Sequence, residues 1–236
     1  MKEEKRKEKM DAEEFRKESP FGSVEACKTE EARNQALKSL DDLRDILLTQ
    51  KENEKKEEHQ AKEANIPPRY RKYNLESMKD IEDKPDYQKS IEKCRKYLTS
   101  FDEMQTNGKG ILFMGPSGTL KTTLACMIAL ELIKKDKIKP YFLSCTDLYD
   151  FRVRELKGID YLILDDLGIE YDSEYSATQI DQIIADSYNN NRIVMITTNL
   201  DAREIQKRYS ARSMDRMREM MAFAIQTKGK SLRQQK

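Results

Sequence analysis

The chain has 236 residues, 37% of them charged, and its 44 basic and 43 acidic side chains leave a formal charge of +1. That length suits one α/β core with an appendage, and so even a balance neither demands nor excludes a nucleic-acid partner. Four scattered cysteines (Cys27, Cys94, Cys126, Cys145) without a Cys-x-x-Cys pair, and one histidine, His59, argue against a structural zinc site within the chain.

Residues 1–65 hold 15 basic and 18 acidic side chains and few apolar ones, so most of this stretch cannot bury a core alone. Within it Leu37, Leu40, Leu43 and Leu47 recur at helical spacing beside Ala36 and Ile46, which predicts an amphipathic helix over 30–50. That helix suits docking a partner protein, packing on its own core, or a short coiled coil. The run Lys51 to Glu63 is charged and helix-prone, a solvated helix or linker. Ile66-Pro67-Pro68-Arg69-Tyr70 then marks a boundary, because two prolines end any preceding helix. We divide the chain there, into a helical, charged region 1–65 and an ATPase domain 66–236.

Ile91, Cys94, Tyr97, Leu98 and Phe101 form a second helical stripe. A strand at 111–114, a glycine-containing loop and a helix over 121–134 come next. Tyr141-Phe142-Leu143 reads as a strand, followed by a helical segment from Thr146 to about Leu156. Tyr161-Leu162-Ile163-Leu164 is a wholly apolar strand ending in Asp165-Asp166. Ile180, Ile183 and Ile184 define a helix, and Ile193-Val194-Met195-Ile196 is a buried strand ending in Thr197-Thr198-Asn199. Strands alternating with helices predict a parallel sheet covered on both faces, with ligands at the carboxyl ends of the strands. From Arg203 to Lys236 there are 10 basic against 3 acidic residues, a balance that suits a polyanion or a solvated surface. No apolar run is long enough to cross a bilayer, Met1 to Lys5 does not read as a signal peptide, and unpaired thiols fit a reducing compartment, so a cytoplasmic location is expected.

The chemistry concentrates in Gly115-Pro116-Ser117-Gly118-Thr119-Leu120-Lys121-Thr122 and the following Thr123. Between a strand and a helix, such a loop can turn successive N–H groups onto one anion, aided by the helix dipole. Lys121 is placed to reach the outer phosphates of ATP, and the Thr122 hydroxyl to hold Mg2+. Leu120 stands where the usual loop has glycine, and its side chain is expected to crowd the phosphate or strain the backbone. Asp165 is the expected second Mg2+ ligand, acting through water. Asp166 takes the place of a general base, with Glu170 as an alternative, and Asn199 can orient the attacking water or sense the γ-phosphate.

Taken in order, these motifs resemble bacterial AAA+ ATPases of the DnaC/IstB type, the replicative-helicase loaders and transposition helpers. The resemblance covers roughly residues 62–236 and rests on Ala64 to Tyr70, the phosphate loop, Tyr161 to Glu170, Met195 to Leu200, Ser213-Met214-Asp215-Arg216-Met217-Arg218 and Gly229-Lys230-Ser231-Leu232-Arg233. It implies an α/β, P-loop AAA+ three-layer core. It implies Arg216 as an arginine finger reaching the ATP of a neighbouring subunit, with Arg212 beside it, and Arg233 as a second nucleotide contact. Arg208, Arg212 and Arg216 also recur at every fourth position, so a basic helix face is the alternative. It implies a replicative DNA helicase, single-stranded DNA and further copies of the chain as partners, and hydrolysis of ATP at subunit interfaces, slow if Leu120 impairs the loop. A transposition helper on double-stranded DNA and a non-hydrolysing adaptor are the alternatives. Ser187 stands where the family often has a second arginine, and the connection from Cys145 to Tyr161 is short for the family.

Overall fold

The computed structural model describes residues 30–78, 85–170 and 174–228. The chain divides into two compact units, Met1–Lys56 and Glu57–Lys236. Helix α1 spans Glu30–Glu63, longer than its leucine stripe suggests, because the charged run after it is made of strong helix formers. Leu37, Leu43, Ile46 and Leu47 are 39%, 41%, 53% and 41% exposed. No helix among the described residues is long and apolar enough to cross a membrane.

The second unit is built on one five-stranded sheet. Its strands are β1 (Gly110–Met114), β2 (Pro140–Ser144), β3 (Tyr161–Leu167), β4 (Ile193–Thr198) and β5 (Met221–Gln226). All neighbours pair in parallel, in the order β2-β3-β4-β1-β5. Among the described residues, helices α2 (Pro68–Arg71), α3 (Pro85–Thr99), α4 (Phe101–Thr106), α5 (Lys121–Ile133), α6 (Glu174–Asn189), α7 (Ala202–Arg208) and α8 (Ala211–Met220) accompany it.

Strand pleating sends alternate residues to opposite faces, and each face has its own core. Ile111, Phe113, Phe142, Ile163 and Met195 join α3 and α5 in one cluster. Leu112, Leu143, Leu162, Leu164, Val194 and Ile196 face the other way, where Ile180, Ile183 and Ile184 of α6 cover them. Burial on both faces explains why β3 and β4 read as unbroken apolar runs.

The free edge of β2 is capped by the chain that follows α1. Phe142 N–H donates to Ala64 O at 2.8 Å, and Asn65 Nδ2 donates back to Phe142 O at 3.1 Å. Those two hydrogen bonds occupy an edge that would otherwise invite another strand.

Two elements differ from the sequence reading. Instead of one helical segment from Thr146 to Leu156 there are two short 3-10 turns, Cys145–Asp147 and Val153–Leu156. Strand β5 follows α8 with no turn residue between them, so the apolar run Met220 to Ile225 carries no boundary to announce it, and as an edge strand its residues alternate between half-buried and exposed until Ile225.

Candidate nucleotide-binding site

The strand order sets the site. β4 lies between β1 and β3, so the loop after β1, the acidic pair on β3 and the residue after β4 come together at the carboxyl ends of the three central strands.

The loop from Gly115 to Leu120 is held in an unusual backbone path. Gly115 has φ +142°, and a Cβ there would fall 2.3 Å from Thr227 O. Only glycine allows that approach. Thr227 lies directly beneath the loop. Its N–H donates to Met114 O at 2.8 Å, and its hydroxyl lies 2.6 Å from that of Thr119. Thr119 Oγ1 also donates to Pro116 O at 2.8 Å. Pro116 and Ser117 are exposed at the crest of the loop, and Gly118 is another left-handed residue, with φ +82°.

Leu120 is left-handed as well, with φ 67° and ψ 8°, at the N-cap of α5. Its half-buried side chain packs against the α5 core cluster. The strain expected from leucine at this position is present, and roughly 1–2 kcal/mol is its usual size. Crowding of the phosphate position is not what the packing indicates, because the side chain is engaged with the core.

Lys121 opens α5 and is 5% exposed. Its Nζ donates to Gly115 O, Pro116 O and Asn199 Oδ1, each at 2.8 Å. The ammonium is thus poised inside the loop, and Asn199, exposed after β4, meets it there. Thr122 is half-buried and Thr123 buried on the first turn of α5.

Asp165 and Asp166 sit in a break of the β3–β4 register, between the pairs Leu164–Ile196 and Leu167–Thr198. Such a bulge re-aims side chains that a regular strand would send to the two faces. Asp165 is 4% exposed and accepts from Thr197 Oγ1 at 2.7 Å. Burial raises the pKa of its carboxyl above the usual carboxylate range, against the pull of hydrogen bonds from Thr197 and Thr122. Asp166 has φ 56°, and its N–H donates to Thr197 Oγ1 at 2.9 Å. Thr197 therefore braces both acids, a role its place in the apolar run of β4 did not signal.

The remaining candidates lie elsewhere. Glu170 is not a free base. Its carboxylate accepts from Gly168 N–H at 2.7 Å and from Arg208 Nε at 2.9 Å, and the Tyr209 hydroxyl donates to it at 2.5 Å. Arg208 is spent there, and Ser210 caps the separate helix that carries Arg212 and Arg216, so the three arginines form no continuous face. Arg216 stands over the Tyr188 ring with its Cζ 5.6 Å from the centroid, near the end of α6. β5, which α8 feeds directly, pairs Met221 with Gly110 at the start of β1. Arg216 thus lies toward the amino ends of the strands, the end opposite its own phosphate loop. Ser187 is fully buried and accepts from Arg192 Nη1 at 3.0 Å. Arg192, 4% exposed, also donates to Ile159 O, Leu156 O and Asp186. Arg233 and the motif Gly229–Arg233 lie outside the described residues, as does Cys27.

The oxygen atoms of Thr122 and Asp165 fit a magnesium ion that arrives with a nucleotide. Among the described residues no group of three or more His, Cys, Asp or Glu could hold a metal alone. Magnesium does not need such a cage, since it keeps waters and takes phosphate oxygens.

A family model described as IstB-like ATP binding protein matches residues 22–236. The chain belongs to this IstB-like family. It is 28% identical over 142 residues to the replicative helicase loader DnaC of Escherichia coli (strain K12), covering 55% of this chain and 57% of that relative. DnaC of Buchnera aphidicola subsp. Schizaphis graminum (strain Sg) is 26% identical over 144 residues, with 55% and 57% covered. The chain spans a little over half the length of these relatives. Among solved structures, a DnaC helicase loader matches with a TM-score of 0.57 and 25% identity, over 69% of this chain and all of that one. A DnaA initiator bound to AMPPCP and single-stranded DNA, at 18% identity and a TM-score of 0.53, covers 70% of this chain and 51% of its own and bears on the fold alone. The IstB-like chain thus has the three-layer α/β core of AAA+ ATPases, as its motifs imply.

Proposed function

We propose that this IstB-like protein is an AAA+ ATPase of the helicase-loader type. It binds Mg-ATP in the loop Gly115–Thr123, engages a replicative DNA helicase, and hydrolyses ATP between adjacent copies of itself. The observation that carries the reading is the convergence of Lys121, Asn199 and Asp165 at the ends of three adjacent strands.

Each residue then has a chemical task. Lys121 moves its Nζ from loop carbonyls onto phosphate oxygens, where a fixed charge stabilises the transferred group. Thr122 and Asp165 would hold Mg2+, which neutralises charge on the phosphates. Asp166 accepts the proton of the attacking water, and Asn199 orients that water. Arg216, far from its own loop, serves the ATP of the neighbouring copy. The exposed leucine stripe of α1 is the docking surface for the helicase, and the basic residues after Arg203 other than Arg208 and Arg216 grip single-stranded DNA through its phosphates.

The test is Mg-ATP binding and turnover by the purified chain, with single-stranded DNA and a replicative helicase added separately. Binding with turnover raised by either partner supports the reading. Binding without turnover under all three conditions points to an adaptor, and absence of binding rejects the nucleotide site.

A further inference from the structure

Arg216 and Glu219 lie three positions apart on α8, close enough to pair across one helical turn. Among the described residues they do not pair. The Glu219 carboxylate instead accepts from the Tyr188 hydroxyl at 2.6 Å, and the half-buried Arg216 places its guanidinium over the ring of the same tyrosine, 5.6 Å from the centroid. Tyr188, 40% exposed on the last turn of α6, thus touches both members of an ion pair that has not formed.

Other acids of the two helices are engaged elsewhere. Asp215 pairs with Arg218 at 3.1 Å, Asp181 accepts from the Ser213 hydroxyl at 2.5 Å, and Asp186 pairs with buried Arg192 at 2.7 Å. Lys109 Nζ donates to the main-chain carbonyl of Glu219, not to its carboxylate. The cationic charge of Arg216 is therefore met by an aromatic face alone. A carboxylate on that guanidinium would cancel the charge an arginine finger brings to the transferred phosphoryl. A cation–π contact leaves its N–H donors free for phosphate oxygens, and at an exposed ring it is weak enough to be exchanged.

We propose that Tyr188 is a positioning residue for the arginine finger: its hydroxyl keeps Glu219 off Arg216, and its ring holds the guanidinium ready for the ATP of the neighbouring copy. The inference rests on the reading of Arg216 as that finger. It adds a residue from α6, outside every motif that marks the nucleotide site.

The experiment compares the full chain with Tyr188→Phe, which keeps the ring and removes only the hydroxyl that occupies Glu219. Mg-ATP affinity and turnover are measured with a single-stranded oligothymidylate present, and a thermal melt checks folding. Affinity should stay within about twofold of the parent, while kcat should fall about two- to fivefold, the size of an exposed ion pair's hold on the guanidinium. Adding Glu219→Gln to Tyr188→Phe should return kcat to the parent value, because no carboxylate remains to capture the arginine. Excess Lys121→Ala, which supplies an intact Tyr188 and Arg216 from the neighbouring side, should also restore turnover at the Tyr188→Phe sites. A parent-like kcat in Tyr188→Phe, with Arg216→Ala inactive, overturns the proposal and leaves the finger standing. A loss that Glu219→Gln does not recover also overturns it, because the hydroxyl would then be supporting the fold alone. Turnover in Arg216→Ala equal to the parent's, or none in the parent itself, rejects the finger and the proposal with it.

Discussion

Lys121 Nζ and Asn199 Oδ1 lie 2.8 Å apart, which ties the end of β4 to the phosphate loop after β1 through one buried ammonium. The same nitrogen also satisfies two loop carbonyls. An incoming triphosphate must therefore exchange these neutral acceptors for charged ones. Charge-assisted hydrogen bonds are worth about 1.5–3 kcal/mol. Lys121→Ala should weaken ATP binding about 10- to 100-fold, as read by titration calorimetry. Asn199→Ala removes a ground-state partner of the lysine and a water-orienting group together. It should leave affinity near the parent value and lower turnover, a split that single-turnover kinetics resolves.

Leu120 tests how the loop tolerates a side chain. Replacing it by glycine relieves a left-handed leucine, worth roughly 1–2 kcal/mol, and loses a half-buried apolar contact of similar size. Urea denaturation should show a stability change within about 1 kcal/mol. Because the leucine packs on the α5 cluster, nucleotide affinity should change little. A large gain in affinity for Leu120→Gly would show that the side chain obstructs the phosphate after all.

Much of this site was legible in the sequence because its signals are local. A glycine loop between an apolar run and a helix, and acids closing an apolar run, need no partner to be recognised. What escaped depends on contacts far along the chain. Thr227 supports the phosphate loop from 108 positions beyond Thr119. Glu170 is acidic and near Asp165 in sequence, yet Arg208 and Tyr209 claim it. Strand β5 begins where α8 ends, with no turn residue to separate the apolar strand from the helix before it.

Arg216 is held near Tyr188, apart from its own loop. If it acts on a neighbouring copy, Arg216→Ala should bind ATP as the parent does and lose turnover by about 10³-fold. Mixing it with Lys121→Ala should restore some activity, because each variant would supply what the other lacks at a shared interface. No recovery in the mixture, with binding lost in Arg216→Ala alone, would place the arginine in its own site.

The Glu170 cluster should govern stability rather than chemistry. Glu170 is 3% exposed at its side chain and paired with Arg208. Arg208→Ala leaves a buried carboxylate without its cation, a change that typically costs about 3–5 kcal/mol. The variant should unfold at lower urea while its remaining folded fraction keeps parent-like ATP affinity.

Cysteine chemistry gives a last check on the core. Cys94, Cys126 and Cys145 are buried free thiols. Burial pushes the Cys94 thiol up to about 12, and Cys126 and Cys145 well above their ordinary value. The thiolate is the reactive form, and a raised pKa keeps the proton on sulfur at all pH values below it. Alkylation of the native chain should therefore leave these three residues unmodified at both pH 7 and pH 9, although the higher pH speeds reaction of an ordinary thiol. Peptide mass spectrometry reads the outcome site by site, and prior unfolding in urea should make all three react. Rapid labelling of Cys126 in the native chain would mean that α5 opens from the sheet, and with it the platform on which Lys121 and Thr122 stand.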